Sequence, residues 1–220
     1  PNLPTSIEYK KIVEETFEIL NDSPKLENYK ENKLKVSPYR ELDETKDKKK
    51  NDGTKLIHLT EEPPKEEYWP VFDGSSTNYP GTELWVMDRG SRFGWADPEL
   101  MLDYLQLRKK RSRKMKRIFD EEWIEDSQTL PCLHYRVCIR NVTRVDNLRT
   151  VVASLIPKKT FITNAIPYFL MSGGDEHDLA FLLGVLNSIP IDWYARRFVE
   201  ANLNYYILNS LPIPRSDKNN

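Results

Sequence analysis

Ile7, Ile12, Val13, Phe17 and Leu20 fall near helical spacing behind Thr5 and Ser6, which predicts a capped amphipathic helix over residues 5–20. The pattern then stops. Residues 21–55 are polar, and the run at 43–53 reads as a loop or solvated excursion. Lys55-Leu56-Ile57-His58-Leu59 predicts a short strand, followed by an acidic, proline-containing stretch. Residues 68–97 concentrate Tyr68, Trp69, Phe72, Tyr79, Trp85, Phe93 and Trp95 between glycines, the pattern of strands joined by tight turns. Asp97-Pro98-Glu99 is a capped start with proline in the first turn and predicts a helix to about Glu125. Leu133 to Ile139 alternates as a strand, residues 150–156 form an apolar one ended by Pro157, and residues 160–169 offer a third. An apolar helix is expected over 178–199 with a break at Pro190, then a short closing segment over 204–211. Strands and helices without regular alternation predict an α+β fold.

Charge changes this picture only locally. With 33 Lys+Arg against 34 Asp+Glu, the 220 residues carry a formal net charge of -1, so any polyanion site must be regional. Cys132 and Cys138 lack zinc-site spacing and are expected to be reduced, buried and structural. No apolar run approaches the roughly 20 residues of a membrane span, and a soluble, cytoplasmic protein with no membrane partner is expected. The chain opens on Pro1 and is expected to be a piece of a longer polypeptide.

The dense positive block is Arg108-Lys109-Lys110-Arg111-Ser112-Arg113-Lys114-Met115-Lys116-Arg117, eight basic residues in ten with no acid. On one helix these charges would surround the circumference, and phosphates are natural partners because each neutralised phosphate releases a counterion. The alternative is a solvated helix offset by Asp120-Glu121-Glu122 and Glu125-Asp126. From Arg108 to Lys159 there are fourteen basic and six acidic residues. Arg136, Arg140, Arg144 and Arg149 lie in and after one strand, the first two spaced for one face. Such arginines serve phosphates or guanine edges, or hold loops through carboxylates such as Asp146.

Other chemistry finds little support. Gly173-Gly174 is an isolated pair followed by acids and reads as a turn, not a phosphate loop. His58, His134 and His177 are scattered, Ser75-Ser76 after Gly74 is no nucleophile elbow, and no complete catalytic, metal-ligating or cofactor-binding set is present.

Four blocks carry a resemblance. Leu182-Leu183-Gly184-Val185-Leu186-Asn187-Ser188 is followed by Asp192-Trp193-Tyr194-Ala195-Arg196-Arg197. Asn202-Leu203-Asn204-Tyr205-Tyr206-Ile207-Leu208-Asn209-Ser210-Leu211-Pro212-Ile213-Pro214 closes the block. This resembles the end of the recognition domain in type IIG and related restriction-modification methylases. Arg40-Glu41-Leu42-Asp43-Glu44-Thr45 is similar to that family's Arg-Glu-x-Asp-x-Thr segment, and Trp69-Pro70-Val71-Phe72-Asp73-Gly74 to its Leu-Pro-Leu-Tyr-Glu-Gly block. Residues 136–157 resemble its Arg-x-x-x-Arg-x-x-Thr and Asn-x-Arg-Thr-x-x-Ala-x-x-Ile-Pro pattern. The block at Asp73-Gly74 departs by continuing Ser75-Ser76-Thr77 where a Lys-Met-like sequence is common.

The resemblance implies a target-recognition domain that binds double-stranded DNA. It would follow a methylase core, upstream in the same chain, that uses S-adenosylmethionine to methylate adenine N6. Residues 1–60 then form a polar lead-in from that core, 61–215 the recognition domain and 216–220 a disordered tail. No cofactor is expected in this piece, whose Asn-Pro-Pro-aromatic motif and glycine-rich cofactor loop are absent. Candidate DNA contacts are Arg89, Arg92, Arg108, Lys109, Lys110, Arg111, Arg113, Lys114, Arg136, Arg140, Arg144 and Arg149. The resemblance favours the loop elements at 73–92 and 136–149, composition the basic block. A protein-interaction domain using the aromatics of 68–95 and an unrecognised metal-dependent nuclease are the alternatives.

Overall fold

The computed structural model describes residues 35–74, 93–144 and 146–214, together with Lys11, Glu15, Glu18, Lys25 and Leu26. Lys11, Glu15 and Glu18 are helical, while the remainder of the expected helix at 5–20 lies outside the described residues. So do Arg89 and Arg92 and nearly all of the segment 73–92.

The fold is α+β, as its unalternating pattern predicts. Among the described residues, seven strands form two sheets. They are β1 (Lys35–Tyr39), β2 (Trp69–Phe72), β3 (Gly94–Ala96), β4 (Arg136–Ile139), β5 (Ala153–Ile156), β6 (Phe161–Ile162) and β7 (Tyr168–Ser172). One sheet has the order β1-β7-β4-β5 and is antiparallel; the other, β3-β2-β6, joins β2 to β6 in parallel. β1 lies within a stretch too polar to announce a strand. It sits at the sheet's edge, where Pro38 lacks a donor only on the backbone of an outer strand.

Alternation decides where the first sheet's side chains go. Val137, Ile139, Ala153 and Phe169 face one core, and Cys138, Ile156, Tyr168 and Leu170 face another on the opposite side. The first core is closed by α4 (Glu176–Leu186), α5 (Ile189–Ala195) and α6 (Tyr205–Ser210), through Leu182, Leu186, Ile191 and Ile207. The apolar pattern at 178–199 therefore divides into two helices as expected, with Pro190 in the first turn of α5 and Asn187 closing α4. The glycine pair before α4 is a turn in which Gly173 takes φ 80°.

Two expectations fail for local reasons. The helix expected from Pro98 to Glu125 is three, α1 (Pro98–Arg111), α2 (Met115–Ile118) and α3 (Glu121–Glu125). Ser112 leaves helical geometry and its Oγ accepts the Met115 N–H at 3.2 Å; Asp120 accepts from Trp123 N at 2.9 Å and starts a new helix. The strand expected at 55–59 is reduced to single bridges, Lys49 with Lys55 and His58 with Trp95. Opposite His58, Gly94 is required by close approach: a Cβ there would lie 2.4 Å from the His58 carbonyl oxygen.

Candidate nucleic-acid interface

α1 starts because the Asp97 side chain accepts from Glu99 N and Leu100 N, at 3.0 and 3.3 Å, ahead of Pro98. It ends inside the basic block, which removes the single all-round positive helix that composition suggested. Lys109 points inward and is 1% exposed. Its Nζ donates to the Asp126 carbonyl and to Thr129 Oγ1, both at 2.6 Å, and lies 4.4 Å from the centre of the Trp123 ring. Burial pulls its pKa down to about 8. Arg108 pairs with Asp47, which also accepts from the Tyr104 hydroxyl at 2.5 Å. Lys110 pairs with Glu125, and Lys114 donates to the Pro38 carbonyl while standing 4.5 Å over the Tyr205 ring.

Four of the candidate cations are thus held by the fold. Arg111, Arg113, Lys116 and Arg117 remain exposed, and no side-chain hydrogen bond or ion pair holds any of them among the described residues. They lie at the end of α1, in the turn after it and on α2. Lys116 and Arg117 were visible in the sequence run, but nothing there separated them from neighbours that turn inward.

The arginines of the β4–β5 region divide similarly. Arg136 faces the same interior as Cys138, is 3% exposed, and donates to Glu41 Oε2 at 2.5 Å and to the Thr160 carbonyl at 2.7 Å. Its place is the core, not a groove-reading surface. Arg149 is similarly interior. It donates to the Asn187 and Ser188 carbonyls at 2.6 and 3.2 Å, and its Nε stands 3.4 Å from Asp192. Arg140 is half-buried. Arg144 is exposed beside Asp146 at 3.2 Å.

Between these strands the connecting loop is braced from α5. Asp192 accepts the backbone N–H groups of Thr150 and Val151, at 2.7 and 2.8 Å, and the Nε–H of Arg196 at 3.0 Å. Arg196 in turn donates to the carbonyls of Asn147 and Leu148, at 2.8 and 2.7 Å. Thr143 Oγ1 donates to the Thr150 carbonyl at 2.8 Å, closing the loop across its base. The clamp uses Asp192, where sequence alone offered Asp146. Its only local signal was the four-residue spacing of Asp192 and Arg196 on a helix.

Among the described residues, no group of three or more His, Cys, Asp or Glu side chains is placed to hold a metal ion. No helix among them is long and apolar enough to cross a membrane. Both cysteines are free and buried, as expected, and burial pushes each thiol up to about 12.

No family model matches the chain. No curated protein matches it. Among solved structures, the fold is similar to that of the type IIG restriction endonuclease BpuSI, with a TM-score of 0.51 and 15% sequence identity. The likeness covers 93% of this chain and 26% of that one, so the chain spans about a quarter of the structure whose fold it shares.

Proposed function

We propose that this chain is the DNA-recognition part of a restriction-modification enzyme of the type IIG kind. The observation that carries the reading is the likeness to BpuSI: almost the whole chain follows one quarter of a restriction endonuclease. Four exposed cations without side-chain partners among the described residues support it. Arg111, Arg113, Lys116 and Arg117 are exposed, and a cluster without carboxylate partners among the described residues suits a phosphate backbone.

In this reading the parts have separate tasks. The cations around the α1–α2 turn contact phosphates and position the duplex, while side chains on loops read bases. Arg144 on the braced loop, the half-buried Arg140, and Arg89 and Arg92 are the remaining candidates for that second task. Methylation of adenine N6, with S-adenosylmethionine as donor, belongs to an upstream methylase core of the parent polypeptide in the cytoplasm. Leu148, 85% exposed on the braced loop, and Ile189, 76% exposed at the start of α5, suit the face that meets this core.

The test is duplex DNA binding across a salt series by the chain and by the R111A/R113A/K116A/R117A variant. Weaker binding by the variant is expected, with a salt slope shallower by up to about 3 to 4 if all four cations release counterions. An unchanged slope refutes the assigned phosphate contacts, and no duplex binding at low salt refutes the DNA-binding reading of this chain.

A further inference from the structure

β4 and β7 meet at a single register pair. Cys138 lies opposite Tyr168, and Ile139 N donates to the Pro167 carbonyl at 2.8 Å. Toward Arg136 on one strand and Ser172 on the other, no further pair joins them, although β5 and β1 keep their partners along full strands. Where the strands part there is a cleft of about 380 Å³. Its walls come from β7, the entry to β4, the α2–α3 region and the start of α4.

The lining has three properties. First, it is rich in rings: Phe119 and Trp123 stack with centroids 3.6 Å apart and planes at 9°, and Tyr135 and Phe169 join them. Second, a buried guanidinium backs one wall. Arg136 uses its terminal nitrogens on Glu41 and Thr160, and its Nε–H has no partner among the described residues. Third, the lips differ in charge. Lys158, 4.7 Å over the Tyr135 ring, and His134 stand on the β4–β5 side, while Asp175 and Glu176 stand where α4 begins.

We infer that this cleft binds a single unstacked nucleobase carrying an exocyclic amino group, with its phosphate at the Lys158 lip. A planar ring suits the aromatic walls, since rings accept any base by stacking. The amino group donates to the Glu176 carboxylate opposite, Asp175 being held as the cap of α4, and Lys158 neutralises the phosphate. The volume lies near the low end of small-ligand sites, roughly 300–1,000 Å³, and is too small for a folded partner segment. None of the cations proposed to contact duplex phosphates lines the cleft.

The experiment uses the purified chain and a short single-stranded oligonucleotide carrying one 2-aminopurine, whose fluorescence falls on stacking. Saturable quenching is expected, competed by dAMP and dCMP more strongly than by thymidine monophosphate. Leu179→Trp, which fills the cleft from α4, is expected to abolish quenching. Tyr135→Ser and Lys158→Glu each weaken binding by about tenfold, with melting temperatures retained. Absence of saturable quenching, or quenching unaffected by all folded variants, overturns the assignment. Competition by an aromatic dipeptide and not by nucleotides overturns it too, giving the cleft to a protein partner. Because the probe is single-stranded, these outcomes are read independently of duplex binding.

Discussion

The Arg136 guanidinium and the Glu41 carboxylate, 95 residues apart in sequence, meet at 2.5 Å with 3% of either side chain exposed. Glu41 also accepts from Ile162 N at 3.1 Å, so one carboxylate ties β4 of the first sheet to β6 of the second. Both residues belong to the blocks that resemble restriction-modification methylases. Their shared task here is to join the sheets. The blocks' arginines do not all belong to one function merely because they share a sequence pattern.

Removing one member of this pair leaves the other charge buried. Arg136→Met or Glu41→Leu is expected to destabilise the fold by about 3–5 kcal/mol, because an uncompensated buried charge costs more than the pair contributes. The double replacement should cost clearly less than the sum of the two. Urea unfolding of the three variants measures this; single losses below about 1 kcal/mol would show that the pair does not hold the sheets together.

Asp192 anchors the β4–β5 loop through two backbone N–H groups and two arginines, so its loss should loosen that loop before it unfolds the domain. Asp192→Ala is expected to cost about 2–4 kcal/mol, and Asp192→Asn, which retains an acceptor, less. Hydrogen exchange should accelerate at the Thr150 and Val151 amides in particular. Equal acceleration throughout β4 and β5 would contradict a local clamp.

Lys109 is expected to leave a signature in alkaline titration. Its pKa in the folded chain is about 8, against an ordinary value of 10.5, so between these pH values the unfolded chain binds more protons. Burial of the charged form therefore opposes folding below about pH 8, and that opposition fades as pH rises toward 10.5. Relative to Lys109→Met, the wild-type melting temperature should rise by about 3–6 °C across this window. Parallel pH curves for the two proteins would refute it.

Both thiols are pushed up to about 12 by burial, which leaves almost no thiolate at pH 8. The native chain should be nearly inert to a thiol-specific chromogenic reagent over minutes, and two equivalents should appear at once in denaturant. Rapid native labelling of either cysteine would place it outside the core.

Much of the fold was legible because its signals are local. The Asp97-Pro98 start of α1, the apolar run of β5 and the break near Pro190 each follow from a few adjacent residues. β1 was not legible, since Lys35-Val36-Ser37-Pro38-Tyr39 has no strong alternation and becomes a strand by pairing with β7. The end of α1 was obscured by residues with high helix propensity on both sides of Ser112, where a single hydroxyl cap decided the break.

By itself the sequence determined the mixed architecture, the positions of most helices and strands, the buried reduced cysteines and a local surplus of cations after Arg108. Hydrophobic periodicity and charge count are properties of neighbouring residues, so they survive without coordinates. Only the tertiary structure decided which cations are free. Lys109 is withdrawn by a carbonyl 17 positions on, Arg108 by a carboxylate 61 positions back, and Arg136 by one 95 positions back. Arg111 and Arg113 stay in solvent between them because no partner folds against that turn among the described residues. The fate of a charge depends on what the chain brings within about 4 Å, where pairing replaces hydration.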